Sequence, residues 1–155
     1  MKKWHLLSFL FASLMFSGCS VQQYFILANS TDETISIKYS LDDPTGEKAL
    51  FRVAGEVYQS NREYYPNWEH KLPYTDLNNS DDNVFIKLGP KSTLVFGTLS
   101  NDTYDINTKT SATGKIFNLK EMMFTVNGVD YLIDKDNFHD FFLSDGGGTF
   151  QYIIR

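Results

Sequence analysis

Met122-Met123-Phe124-Thr125-Val126-Asn127-Gly128-Val129-Asp130-Tyr131-Leu132-Ile133 is the stretch whose reading decides the fold. Asn127-Gly128 tolerates the positive φ values of a type I′ turn, so the two flanking arms close on a two-residue loop. In that register Val126 faces Val129, Phe124 faces Tyr131 and Met122 faces Ile133, and every pair on that face is apolar. Spacing and turn chemistry predict the same hairpin.

Outward from this hairpin the period of two recurs. Val84, Ile86 and Leu88 share a face, Gly89-Pro90-Lys91-Ser92 makes a turn, and Thr93 to Leu99 forms the next strand, which reads as a hairpin. Tyr24 to Ala28 is a buried strand, Asn29 to Glu33 a turn, and Ile35, Ile37, Tyr39 and Leu41 alternate with polar residues, which reads as another hairpin closed by Asp42 to Gly46. On the other side, Asp134 to Phe142 has room for one helical turn. Asp145-Gly146-Gly147-Gly148 is a loop, and Phe150 to Ile154 is a terminal strand.

Three segments lack this clarity. Glu47 to Gln59 places Leu50, Val53, Ala54, Val57 and Tyr58 at helical spacing, while Phe51 and Val53 also fit a strand. Ser60 to Ser80 shows no periodicity but is dense in aromatics and broken by Pro66 and Pro73, so it reads as a long loop. Asn101 to Gly114 has the polar composition of an exposed connection. Seven short strands with polar turns and no sustained helix predict an all-β fold, an antiparallel β-sandwich of about seven strands, Ig-like or related in architecture. A small closed barrel is the alternative. The paired cysteines of the Ig family are absent.

The chain of 155 residues has room for one domain, and 42% hydrophobic with 15% aromatic residues is the composition of a folded protein. Its net charge of −5 makes nucleic acid and anionic membrane surfaces poor partners. There is one cysteine, Cys19, so no disulfide forms within the chain and the core alone must hold the fold.

That cysteine closes a distinctive N-terminus. Lys2 and Lys3 precede an apolar run from Leu6 to Phe16, followed by Ser17, Gly18 and Cys19, the charged start, apolar middle and small-residue cleavage site of an export signal. The run is about eleven residues, short of the roughly 20 needed to span a bilayer. Phe16-Ser17-Gly18-Cys19 resembles the lipobox of bacterial lipoprotein precursors, with phenylalanine where leucine is usual. The resemblance covers residues 1–20 only. It implies cleavage before Cys19, lipid modification of the Cys19 sulfur, and anchoring in a bilayer; Ser20 is compatible with sorting to the outer membrane. The implied organisation is a signal peptide over 1–18 outside the fold, a lipidated tether over 19–23 and a β-sandwich domain over 24–155. A plain secretory signal with a chance cysteine is the competing reading.

No catalytic, cofactor or metal signature follows. Of the histidines beyond Cys19, His70 and His139 stand without a neighbouring nucleophile motif, and Gly-x-Ser-x-Gly is absent. Two distant histidines do not make a zinc site. An EF-hand counted from Asp134 fails at His139, where glycine is needed, and at Asp145, where glutamate is needed; a looser calcium site at Asp42-Asp43 or Asp81-Asp82 is the remaining alternative to reading these pairs as soluble turns. Gly146 to Gly148 lacks the lysine and helix of a phosphate loop. Asn29, Asn78 and Asn101 open glycosylation triplets, which in a bacterial chain only mark exposed turns.

The remaining candidate is the aromatic loop 58–74. Tyr64, Tyr65 and Trp68 either cap the open end of the sandwich or form an exposed surface for a sugar ring or a protein. The functional expectation is a membrane-anchored, non-catalytic lipoprotein, bound to the bilayer through acylated Cys19 and facing the periplasm from the outer membrane. It would act as an interaction or assembly module for an envelope protein. A glycan-binding accessory module is the alternative, with an envelope hydrolase behind both.

Overall fold

The computed structural model describes residues 20–53, 55–73 and 82–155. The signal segment 1–18, Cys19, Tyr74, the triplet at Asn78 and Asp81 lie outside the described residues. In chain order the elements are β1 (Gln22–Asn29), β2 (Ile35–Leu41), β3 (Glu56–Ser60), β4 (Pro66–Lys71), β5 (Asn83–Leu88), β6 (Ser92–Ser100), β7 (Tyr104–Asp105), β8 (Thr110–Ser111), β9 (Leu119–Val126), β10 (Val129–Asp134), α1 (Phe138–Phe141), β11 (Leu143–Ser144) and β12 (Thr149–Ile154). The seven strands read from the sequence are β1, β2, β5, β6, β9, β10 and β12. β3, β4, β7, β8 and β11 add to them.

The strands form a six-stranded sheet in the order β11-β12-β1-β6-β3-β4 and a four-stranded sheet in the order β10-β9-β2-β5, packed as a sandwich. Pairing is antiparallel except where β12 lies parallel to β1. The β9–β10 hairpin has the register its sequence dictates, Val126 opposite Val129 and Met122 opposite Ile133, with Asn127 at φ 51° and Gly128 at φ 76°.

Two expected hairpins do not form. β1 and β2 belong to different sheets, and so do β5 and β6. Both turns are corners that carry the chain across the sandwich, a geometry that turn composition does not distinguish from a hairpin. The corners are tied together by Asn29, which is fully buried rather than exposed. Its Nδ2 donates to the carbonyls of Glu33 (2.7 Å), Leu88 (3.1 Å) and Gly89 (2.9 Å), and its Oδ1 accepts from the amide and hydroxyl of Thr31.

Other boundaries differ as well. β1 begins at Gln22, so residues 22 and 23 are sheet and not tether. Pro66–Lys71, expected as loop, is an edge strand; most of its side chains are exposed, so no inside-outside period marks it. Its first residue is proline, which an edge strand tolerates. The polar stretch 101–114 is the β7–β8 hairpin with its own anchor, Asp102, which is buried. The Asp102 carboxylate accepts the Thr103 and Thr113 amides and the Thr113 hydroxyl (2.5 Å). Burial pushes the Asp102 carboxyl up, but hydrogen bonds from Thr113, Ser111 and Thr103 outweigh this and hold it below its ordinary value.

The core explains the aromatic content. Phe25 on β1 is fully buried, with the rings of Phe51 (5.0 Å), Phe150 (5.1 Å), Tyr104 (5.4 Å), Phe96 and Phe138 around it. Gly97, opposite Phe25 in the register, is glycine because a Cβ there would stand 2.7 Å from the Phe51 ring. Asn118 pins Phe51 in place, accepting its amide at 2.8 Å and donating to its carbonyl and to that of Asp42 at 3.0 Å. Helix α1 supplies Phe138, stacked on Phe142 at 4.3 Å.

Three of the four outer edges of the two large sheets carry features that blunt strand addition. Asn137 donates to the Leu132 carbonyl and accepts the Asp134 amide, occupying part of the outer edge of β10. β11 shields part of β12, and β4 ends in the exposed polar side chains of Glu69, His70 and Lys71.

Candidate functional site

The outer face of the six-stranded sheet carries a second apolar layer. Phe25 and Leu27 point into the sandwich, which turns Tyr24 and Ile26 outward; Val95 on β6 and Tyr58 on β3 lie on the same side. Ile26, Val95 and Tyr58 are nonetheless buried, because Tyr24, Tyr65 and Trp68 pack over or around them.

The turn from Asn61 to Tyr65 holds part of this cover. The Asn61 side chain accepts the amides of Glu63 (2.9 Å) and Tyr65 (3.0 Å), and Tyr64 adopts φ 63° to complete the turn. The Tyr64 carbonyl accepts from the Thr93 hydroxyl at 3.2 Å and the Gln151 amide at 2.8 Å, latching the turn across β6 and β12. Tyr65 donates its hydroxyl to Asp145 Oδ2 at 2.8 Å, beyond the far edge of β12.

Tyr64 and Tyr65 are thus half-buried and tied down, while Trp68 is 50% exposed. The indole lies 4.8 Å from the Tyr24 ring at 41° and 5.1 Å from the Tyr58 ring at 68°. Beside it Tyr58 donates to Glu56 Oε2 at 2.7 Å, and Glu56 pairs with Lys71. The Lys71 ammonium, then the Tyr58 hydroxyl, hold the Glu56 carboxyl below its ordinary value, and burial with the Glu56 contact pushes the Tyr58 phenol up to about 12. A carboxylate kept ionised is a hydrogen-bond acceptor and a poor proton donor. The arrangement is suited to holding a flat apolar surface on Trp68 with polar groups at its rim.

Of the residues singled out from the sequence, Tyr64 and Tyr65 position the cover and Trp68 presents the surface. Tyr58 and Lys71 lie within the candidate loop 58–74 without being singled out there, and Tyr24 and Glu56 lie outside it. The period of two linking Tyr24 to Ile26 was their available signal, whereas β3 lay hidden in the segment with mixed periodicity.

The four-stranded sheet presents a different face. Phe85, Lys38, Met123 and Leu132 stand in register across its four strands, beneath a shallow groove of about 480 Å³, with the Lys38 ammonium 5.7 Å from the Phe85 ring centre. Ser36, Thr125 and Asp130 flank this row.

His139 packs among Tyr104, Phe117, Phe138 and Phe150, with Nε2 3.1 Å from the Tyr104 hydroxyl. His70 is exposed on β4. Among the described residues no group of three His, Cys, Asp or Glu side chains stands close enough to hold a metal ion. The chain matches no protein family, no curated protein and no solved structure.

The titrating groups predict a pH profile. Burial, and then the Lys109 charge, lower the His139 pKa from its ordinary 6.5 against an opposing effect of Asp140. The folded state therefore binds fewer protons at this site than the unfolded state, and stability falls as the pH drops below about 6.5. The phenols of Tyr58 and Tyr65, pushed up to about 12, and of Tyr104, pushed up further by burial, give the opposite limb, with stability lost as the pH rises above about 10. Urea midpoints measured from pH 5 to 11 should show both limbs, and His139→Gln should flatten only the acid one.

Proposed function

We propose that this protein is a lipoprotein of the bacterial envelope, anchored through Cys19 in the outer membrane and facing the periplasm, whose sandwich is a non-catalytic recognition module. The observation that carries the recognition half is Trp68, held half-exposed between Tyr24 and Tyr58 on a face whose remaining aromatics are tied down. Tryptophan and tyrosine give large contact area at small conformational cost, and such anchors dominate interfaces. The anchor half is supported by the basic start, the apolar run and the Ser17-Gly18-Cys19 ending.

A photoreactive amino acid at position 68 tests the recognition in living cells. It should capture a discrete envelope partner, whereas the same probe at Asp43 should not. Trp68→Ala should weaken capture by a probe at Lys71 while leaving the melting temperature within a few degrees, since half the indole is already in water. Equal capture from positions 68 and 43 would remove the recognition claim.

A glycan is the second reading, favoured by the exposed indole with the ionised Glu56 at its rim, since aromatic faces stack on sugar rings while carboxylates accept their hydroxyls. Binding of purified protein to envelope polysaccharide, lost in Trp68→Ala, would select it over a protein partner.

A further inference from the structure

We infer that the end of the sandwich carrying Val21, Ile106 and Ile116 seats directly on the lipid surface, which fixes the orientation of the domain on its membrane. The inference rests on the reading of Cys19 as the site of lipid attachment and adds to it the face that meets the lipid. β1 begins at Gln22, and the chain is already held before that, because the Val21 carbonyl accepts the Asn101 amide at 2.7 Å. Gln22 and Gln23 are held by their side chains too, accepting the Ser100 hydroxyl at 2.9 Å and the Tyr104 amide at 2.6 Å. From Cys19 to Val21 there are two Cα steps, about 7.6 Å at full stretch. A leash of that length cannot hold the domain clear of the membrane.

The same end has a surface suited to contact with lipid. The β7–β8 hairpin lies across it, with Tyr104 packed on Phe25 and Phe150 and the Lys109 ammonium donating to the Lys135 carbonyl beyond β10. Ile116 joins the hairpin through its bridge to Thr110. Val21, Ile106 and Ile116 are 45%, 46% and 51% exposed, and they are three of the seven large apolar side chains exposed among the described residues. Lys109, Lys115 and Lys135 at this end are offset by Asp42, Asp43, Asp105 and Asp136, the last paired with Lys109. The end therefore carries no net positive charge to draw anionic headgroups, and apolar burial beside the anchor drives the contact. β1 runs from this end to Asn29, about 23 Å away at the usual strand rise. The corners at Asn29 and Gly89 and the Asn127-Gly128 turn therefore face away from the membrane.

Hydrogen exchange on a tethered chain tests this. The chain from Cys19 onward keeps every described element, and its single thiol can be coupled to a maleimide lipid in phosphatidylcholine vesicles. Tethering should slow exchange several-fold over 101–109 and 115–117, leaving 31–33 and 127–128 unchanged. The double variant Ile106→Asp with Ile116→Asp should lose that protection while its melting temperature stays near that of the parent. Protection at the Asn127 end, protection at neither end, or protection that appears only with added phosphatidylglycerol would overturn the inference. Because the lipid is attached chemically, an unmodified Cys19 in cells would retire the anchor reading without altering this result, and failure of the seating would leave the anchor reading intact.

Discussion

Phe25→Ala should lower the unfolding free energy by about 3–5 kcal/mol, the range measured for removing a fully buried phenylalanine. Phe25 sits centrally in β1, between β12 and β6, and its ring meets aromatics from five other parts of the chain: Phe51, Phe96 on β6, Tyr104 on β7, Phe138 on α1 and Phe150 on β12. Truncation removes stacked and edge-to-face contacts together and leaves a cavity that neighbouring backbone cannot close, because Gly97 already brings the chain against Phe51. Urea denaturation is the check. With no disulfide in the chain, core packing has no covalent reserve, and the melting temperature should fall on the order of 10 °C. A loss below about 1 kcal/mol would show that the aromatic cluster repacks freely.

Asn29→Ala should destabilise by about 2–4 kcal/mol for a different reason, since the methyl packs easily but buried polar groups lose their partners. The carbonyls of Glu33, Leu88 and Gly89 and the Thr31 amide each lose a hydrogen bond with this side chain, Gly89 keeping the Ser92 hydroxyl and Glu33 the Thr31 hydroxyl. Asn29→Asp separates packing from hydrogen bonding because it keeps the shape and the Thr31 interactions but turns a donor toward three carbonyls into an acceptor. It should be at least as damaging as alanine at pH 7. Equal stability of Asn29→Asp and the parent would refute the cross-bracing role.

These two positions show what the sequence discloses and what it conceals. Phe25 belongs to an apolar run bounded by turn residues, and such a run reads as a buried strand whatever its partners. Strand identity was legible at all seven apolar strands because the side-chain period is local. Pairing was legible only in β9–β10, where a two-residue loop leaves the chain no alternative. At Asn29 and Gly89 the loops are long enough either to turn back or to cross to the other sheet. The choice depends on contacts between residues about 60 positions apart, which no local pattern records. The parallel pairing of β12 with β1 joins the two ends of the domain and is concealed for the same reason.

The candidate site divides along similar lines. The density of aromatics around Trp68 is legible in the sequence, but composition does not separate core from surface. The answer is intermediate: Tyr65 helps roof an outer apolar layer, and Trp68 is its open part. Glu56 and Lys71 are 15 residues apart in sequence and meet only because β3 and β4 pair.

The proposed role depends on the proposed anchor, which would set the compartment, the orientation and the partners within reach. The intact mass of the mature protein extracted from cell membranes tests it most directly. The account predicts a chain that begins at Cys19, carries lipid on that residue and contains none of residues 1–18. A mature chain with an unmodified thiol at Cys19, or one cleaved at another position, would contradict it.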